Sequence, residues 1–221
     1  MSETNQPHLE APCTFILVRH GETASNVTNT FRGRTDVPLN EAGQAQAEAL
    51  AKRIASEWQP NALYTSPVYR AIQTALTIGK HSGLAVTPYP GIIDIDFGAW
   101  TGLPFDEVKR RWPDELDLWI RHPGQTRIPG GEMLVDMRIR AQQSLRELAK
   151  RHTGQTIVLV GHTVINRVII MEAMDIPDDH FWYIGQDTCA LNLIRAEVNG
   201  NYSLLLLNDT CHLLSNTHKT R

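Results

Sequence analysis

The sequence has few cysteines, no strong charge of either sign and no long apolar run. Each of these absences removes a class of protein. Cys13, Cys189 and Cys211 are an odd number at wide spacing, which fits neither a disulfide framework nor a CxxC zinc motif, so they read as buried free thiols. The longest apolar stretches, "TIVLV" and "SLLLL", are far shorter than the roughly 20 residues of a spanning helix, and no signal-like apolar segment opens the chain. No membrane association is therefore expected, and the location read from the sequence is cytoplasmic. A net charge of −3 across 221 residues gives no global field for nucleic acid, so any anion binding must come from a local cluster. The nine histidines show no HExxH or other ligand spacing, and no metal site is expected.

What remains is an ordinary globular composition, 42% hydrophobic and 20% charged, sufficient for one domain. Residues 1–12 carry no periodicity and read as a disordered tail, which leaves 13–221 as a single domain. "TFILV" (14–18) is a short apolar run that suits a strand buried on both faces. "LNEAGQAQAEALAKRIASEW" spaces Leu39, Ala42, Leu50 and Ile54 at helical intervals behind an Asn40 N-cap. "ALYTSP" reads as a second strand, and "VYRAIQTALTIGKHSG" as a helix that stops at Gly83. A strand and loop follow in "AVTPYPGIIDIDFGAWTGLPF". Two polar helices parted at Pro113 come next, then the loop "TRIPGGE" and a long amphipathic helix with Met133, Met137, Leu145 and Leu148 facing the core. "TIVLVGH" repeats the opening grammar, a helix follows it, and "CALNLIRAEV" and "YSLLLLN" close the chain as strands around an "NGN" turn. Strands alternating with helices predict a three-layer α/β/α sandwich on a mostly parallel central sheet.

In such sheets ligands lie beyond the carboxyl ends of the strands. Arg19 and His20 sit at one such end, His162 at another, and Arg70 in the first turn of the helix after a third. A guanidinium offers a planar fork to phosphate oxygens, and an imidazole acts near neutral pH as nucleophile or proton carrier. Each residue alone reads as a solvated or capping side chain. The repeated pattern of strand then histidine, joined by an arginine after a third strand, makes convergence on one pocket the stronger reading.

The segment "LVRHGETASN" resembles the signature of the histidine phosphatase superfamily, in its phosphoglycerate mutase-like branch. "FRGRTDVPLNEAGQAQA", "TSPVYRAIQTA", "IDIDFGAWTG" and "IVLVGHTVINR" resemble the later segments of that family, in the family's order, from about Thr14 to Leu213. The resemblance implies a phosphoglycerate mutase-like fold, no cofactor, and His20 as the nucleophile that becomes a phosphohistidine. It also implies a phosphate held by Arg19, Arg70 and His162, with Asn26, Thr23 and Thr163 as further pocket positions. The usual Glu of the acid segment is matched here by Asp94, the expected proton donor, with Asp96 and Glu22 as weaker candidates. Asp94 read without the family is a carboxylate that caps the turn before Gly98.

The implied activity is metal-independent hydrolysis of small phosphomonoesters, phosphoserine or α-ribazole phosphate among them, with a small phosphorylated metabolite as partner. The mutases of this branch carry a longer insertion after the acid segment and an "ERHYG"-like run, neither of which is present, and this favours hydrolysis over phosphoglycerate mutase activity. A phosphate-binding scaffold without catalysis is disfavoured by intact core positions. "DIDFG" also resembles the Asp-x-Asp of haloacid-dehalogenase-like phosphatases, but it lies mid-chain and is followed by Phe97 and Gly98. Lys109–Arg111 reads as a solvated helix face, and Trp100, Trp112, Trp119 and Trp182 as core or pocket-wall anchors. The loop "RHPGQTRIPGGE" is a candidate lid, with His122 or Arg127 near substrate, and His212 is a candidate extra cation. The final strands leave an edge compatible with a homodimer.

Overall fold

The computed structural model describes residues 9–27 and 30–216. The chain runs β1 (Cys13–Arg19), the short α1 (Ala24–Val27), α2 (Glu41–Glu57), β2 (Ala62–Thr65), α3 (Tyr69–Ser82) and β3 (Val86–Pro88). It continues with α4 (Phe105–Arg111), α5 (Pro113–Arg121), α6 (Leu134–Arg151), β4 (Thr156–Gly161), α7 (Thr163–Ala173), β5 (Leu191–Ala196) and β6 (Tyr202–Asp209). The strands form one six-stranded sheet in the order β3-β2-β4-β1-β5-β6. The first four are mutually parallel, and β5 runs antiparallel to both β1 and β6.

The alternation of side chains along the central strands builds the three layers. Phe15 and Leu17 of β1, with Ile157 and Leu159 of β4, pack against Leu145 of α6 and Ile165 and Ile169 of α7. Their neighbours Ile16, Val18, Val158 and Val160 point the other way, onto Leu50 and Ile54 of α2 and Ala75 and Ile78 of α3. Both faces of the sheet are covered, as continuous apolar strands require. Fully burying each large aliphatic side chain contributes about 1.5–3 kcal/mol. The helices start and stop where local chemistry dictates. Asn40 caps α2 by accepting from the Gly43 N–H, α3 ends on Gly83 at φ 71°, and Pro113 occupies the first turn of α5, where its missing N–H costs nothing.

The topology also fixes where a site can form. The chain leaves the carboxyl end of β1 toward α2 on one face and that of β4 toward α7 on the other, so a crevice opens between these adjacent strands. Their register pairs Arg19 with Gly161, so His20 and His162 emerge side by side, and the His20 N–H donates to the Gly161 carbonyl. The Ser66 N–H bonds to Val160 O at the end of β2, which brings a third strand end to the same level.

Three local expectations are corrected. The tail was read through residue 12, yet Leu9 is buried and donates its N–H to Val198 O, and Ala11 exchanges hydrogen bonds with the Thr153 hydroxyl. Residues 1–8 of that expected tail, and 217–221 of the expected domain, lie outside the described residues. Cys13 and Cys189 are buried, but Cys211 is exposed. The third concerns the "TRIPGGE" loop, which is tied to the acid segment by backbone bonds and does not hang free: Ala99 N–H donates to Pro129 O and Glu132 N–H to Asp96 O. No helix among the described residues is long and apolar enough to cross a membrane.

Candidate active site

His20 is buried at the end of β1, and its imidazole is held in one tautomer. Nδ1 donates to the Gly21 carbonyl at 2.7 Å, and Nε2 accepts from Arg70 Nε at 3.0 Å. The Nε2 lone pair is therefore held by the Arg70 Nε–H. Burial, then the Arg70 and Arg19 charges, push the His20 pKa well below its ordinary value, so the ring is neutral and nucleophilic at neutral pH. Gly21 is required next to it because a Cβ there would lie 2.5 Å from the Gly43 carbonyl oxygen. The loop after His20 and the start of α2 meet backbone to backbone at this point.

Arg70, in the first turn of α3, organises the pocket. Its guanidinium donates to Thr35 O, Gly33 O and Asp94 Oδ2, the last at 3.2 Å, besides the bond to His20. One planar cation thus spans the nucleophile and the carboxylate. Asp94 is buried, its Oδ2 lies 3.9 Å from His162 Nδ1, and burial raises its pKa against the opposing pull of Arg70. A carboxyl group shifted toward its protonated form suits proton donation. Its backbone is fixed as well: Arg34 Nε and Arg140 Nη2 both donate to Asp94 O, while Glu132 accepts from Arg34 and Arg140. This Arg34–Glu132–Arg140 clamp was not apparent from sequence.

His162 is fully buried beside His20, with ring centroids 5.1 Å apart. Its Nε2 meets Ser66 Oγ at 2.7 Å, and that hydroxyl already accepts from the Val68 N–H. The hydroxyl hydrogen is thus free to donate to Nε2, leaving the proton on Nδ1, directed at the pocket. Burial and Arg70 hold this ring neutral too. Arg19 bonds the Gln186 carbonyl through Nη1, and burial together with Arg32 pulls its pKa down to about 10, so it remains a cation. Arg19 Nε, Arg32 Nη1, Asp94 Oδ1 and His162 Nδ1 are buried and meet no hydrogen-bonding partner among the described residues. Each such group costs about 1–3 kcal/mol. Their concentration in one crevice marks it as built for a polar ligand.

The five residues expected to carry catalysis, Arg19, His20, Arg70, Asp94 and His162, therefore converge. Thr23 and Asn26 bond each other, Thr23 N–H and Oγ1 both donating to Asn26 Oδ1, and Thr163 opens α7 next to His162. The alternative acids point elsewhere. Asp96 Oδ1 caps the turn by accepting from Gly98 N–H and its Oδ2 faces Arg34, while Glu22 accepts from Asn40. His122 faces Asp179 and Arg127 is exposed. His212 meets Arg53 of α2, and burial and that charge lower its pKa. Arg110 and Arg111 pair with Glu107 on α4, a solvated face as expected. Arg32 was missed because it sits in an irregular segment that no strand-end rule reaches. Ser66, by contrast, follows β2 directly and that rule would have found it.

A sequence model of the histidine phosphatase superfamily (branch 1) matches residues 15–210. The chain belongs to this superfamily. Phosphoserine phosphatase 1 of Hydrogenobacter thermophilus is 36% identical over 198 residues, covering 90% of this chain and 93% of that one. The metal-independent phosphoserine phosphatase of Arabidopsis thaliana is 32% identical over 186 residues, covering 83% and 74%. Among solved structures, a phosphoserine phosphatase of Entamoeba histolytica in complex with phosphoserine superposes with a TM-score of 0.82 at 25% identity, covering 91% and 99%. The histidine phosphatase described here is a phosphatase with the mutase-like fold that its segments resemble.

Proposed function

We propose that this phosphatase hydrolyses small phosphomonoesters, phosphoserine foremost, through a phosphohistidine on His20 and without a metal ion. The observation that carries the reading is the neutral His20 ring beside His162, with His20 Nε2 accepting from Arg70 and Asp94 across the same guanidinium. As the Arg70 Nε–H hydrogen bond passes from Nε2 to a phosphate oxygen, the freed Nε2 lone pair attacks phosphorus while the ester P–O bond breaks, Asp94 gives its proton to the departing oxygen, and the alcohol leaves. Asp94, now a carboxylate, takes a proton from water as that water attacks the phosphohistidine, releasing phosphate and restoring both residues. Arg19, Arg70 and the His162 Nδ1–H bind the equatorial oxygens and stabilise their charge in both transition states. Thr23, Asn26 and Thr163 are the further pocket positions that the family resemblance implies. The relatives' names support phosphoserine as substrate.

Acid quenching during turnover of labelled phosphoserine, followed by peptide mapping, is expected to find the phosphoryl group on His20. His20→Ala is expected to lose both label and hydrolysis, and a chelator to leave turnover unchanged. Label on a carboxylate, or loss of turnover on chelation, would overturn the mechanism. Transfer to a second metabolite in place of phosphate release would indicate a mutase.

A further inference from the structure

Arg32 has no place in the mechanism above, yet it is built into the pocket. Its Nη1 is buried and without a hydrogen-bonding partner among the described residues. Its backbone is pinned: the carbonyl accepts from both the N–H and the hydroxyl of Thr35, and the preceding Phe31 ring packs 5.1 Å from Phe97 and 5.2 Å from Trp100. The guanidinium lies within electrostatic reach of Arg19, Arg70 and Asp94. It also lines a cavity of about 340 Å³ with Ser25, Thr30, Thr35, Val37 and Gly102. That volume is at the small end for ligand pockets, the size of a short-chain acid rather than a nucleotide. Among the described residues of this lining, Arg32 alone carries a formal charge.

The mechanism above assigns the three equatorial oxygens of a phosphoryl group on His20 to Arg19, Arg70 and the His162 donor. Arg32 is left over, and it joins that nest of charges to the side cavity, the place this inference gives to the leaving alcohol. We infer that Arg32 is a specificity residue that binds a carboxylate on the leaving group, so that the substrate class is the phosphomonoester of a small hydroxy acid or hydroxy amino acid. The inference rests on the phosphatase reading above and narrows it. A pre-positioned, desolvated guanidinium gives its charge-assisted hydrogen bond at little ordering cost. A substrate lacking the carboxylate leaves that donor buried and unpaired, and this is how a polar site discriminates.

The test uses two substrate pairs that differ only by the carboxylate: phosphoserine against ethanolamine phosphate, and 3-phosphoglycerate against glycerol 3-phosphate. The wild-type protein is expected to prefer the carboxylated member by about 10- to 100-fold in kcat/KM, the worth of one hydrogen bond to a charged group. Arg32→Gln is expected to bring both ratios to within about threefold of unity, and Arg32→Lys to retain part of the preference. A ratio unchanged in Arg32→Gln, whether because both members lose equally or because neither loses, overturns the assignment, as does a wild type without the preference. Calorimetric binding of phosphoserine and ethanolamine phosphate to His20→Ala, with and without Arg32→Gln, reads the same ratio without chemistry. If no ester is hydrolysed the phosphatase reading fails, while the affinity ratio still decides Arg32.

Discussion

Replacing Asp94 by Asn keeps the side-chain shape and removes the transferable proton. The carboxylate lies 3.2 Å from Arg70 Nη2, and Arg70 Nε in turn lies 3.0 Å from the His20 Nε2 lone pair. In the proposed mechanism a phosphoryl group seated on His20 presents its ester oxygen toward Asp94. An alkyl ester such as phosphoserine leaves as an alkoxide unless protonated, so losing the donor is expected to lower kcat/KM by about 10²–10⁴-fold, equivalent to about 2.7–5.5 kcal/mol of transition-state stabilisation. p-Nitrophenyl phosphate expels a stabilised phenolate and needs little help, so its first step is expected to slow by about tenfold or less. The second step still lacks a base to activate water. Asp94→Asn is therefore expected to release a burst of p-nitrophenol close to one per site, followed by slow turnover, with phosphohistidine accumulating. Rapid-mixing absorbance and steady-state kcat/KM on the two esters measure both. Equal losses on the two esters with no burst would refute Asp94 as the proton carrier and leave it as a counter-ion for Arg70.

Further outcomes follow from the surroundings of that carboxylate. Glu132 accepts from Arg34 and Arg140, which hold the Asp94 carbonyl; Glu132→Gln is expected to lower kcat about tenfold on phosphoserine and less on p-nitrophenyl phosphate, the signature of a displaced proton donor. Gly98 has φ +47°, and a Cβ there would lie 2.4 Å from Pro129 O and Gly131 N; Gly98→Ala is expected to lower stability by about 1–3 kcal/mol in urea unfolding. The His20 and His162 pKa values are depressed in the fold, so the unfolded chain takes up protons first as pH falls. Their stabilising contribution is whole above the unfolded value of about 6.5 and is lost below it, by up to about 1.4 kcal/mol per pH unit for each ring. Asp94, with its pKa raised, works in the opposite sense and returns part of this as the pH falls through its folded value. Urea midpoints at pH 7.5 and 5.5 are expected to separate less in His162→Asn than in the wild type.

The sequence made the site legible where function rides on regular structure. His20, His162 and Arg70 follow strands or open a helix, and the register of β1 against β4 turns that placement into adjacency. Asp94 was different. It lies between short irregular turns, so only the family resemblance pointed to it, and the capping role it might otherwise have filled belongs to Asp96. Arg32 was invisible because its position depends on long-range packing of Phe31 against Phe97 and Trp100, which no local period encodes. The same blindness explains the tail: Leu9 is held by Val198 in the distant β5–β6 hairpin, a contact that composition cannot report. It also explains His212, whose neighbour Arg53 comes from α2.

The electrostatics of the crevice join binding to reactivity. Burial, then Arg70 and Arg19, hold both imidazoles unprotonated, and Arg32 adds to this at His20. In the proposed mechanism the arrangement that attracts a phosphoryl dianion therefore also keeps His20 Nε2 unprotonated, its lone pair held by Arg70, before the dianion arrives. Bringing in negative charge raises the proton affinity of the rings, and a protonated Nε2 could not attack. Arg70 Nε–H, already placed on Nε2, disfavours a proton there, while the Gly21 carbonyl holds the ring's one proton on Nδ1. Asp94 closes the balance as the nearby acid whose pKa burial raises against the pull of Arg70, which in the proposed mechanism favours a proton on the leaving-group side over one on the nucleophile. The cost is a set of buried polar atoms left unpaired by the protein, at about 1–3 kcal/mol each, which the apolar layers on both faces of the sheet offset.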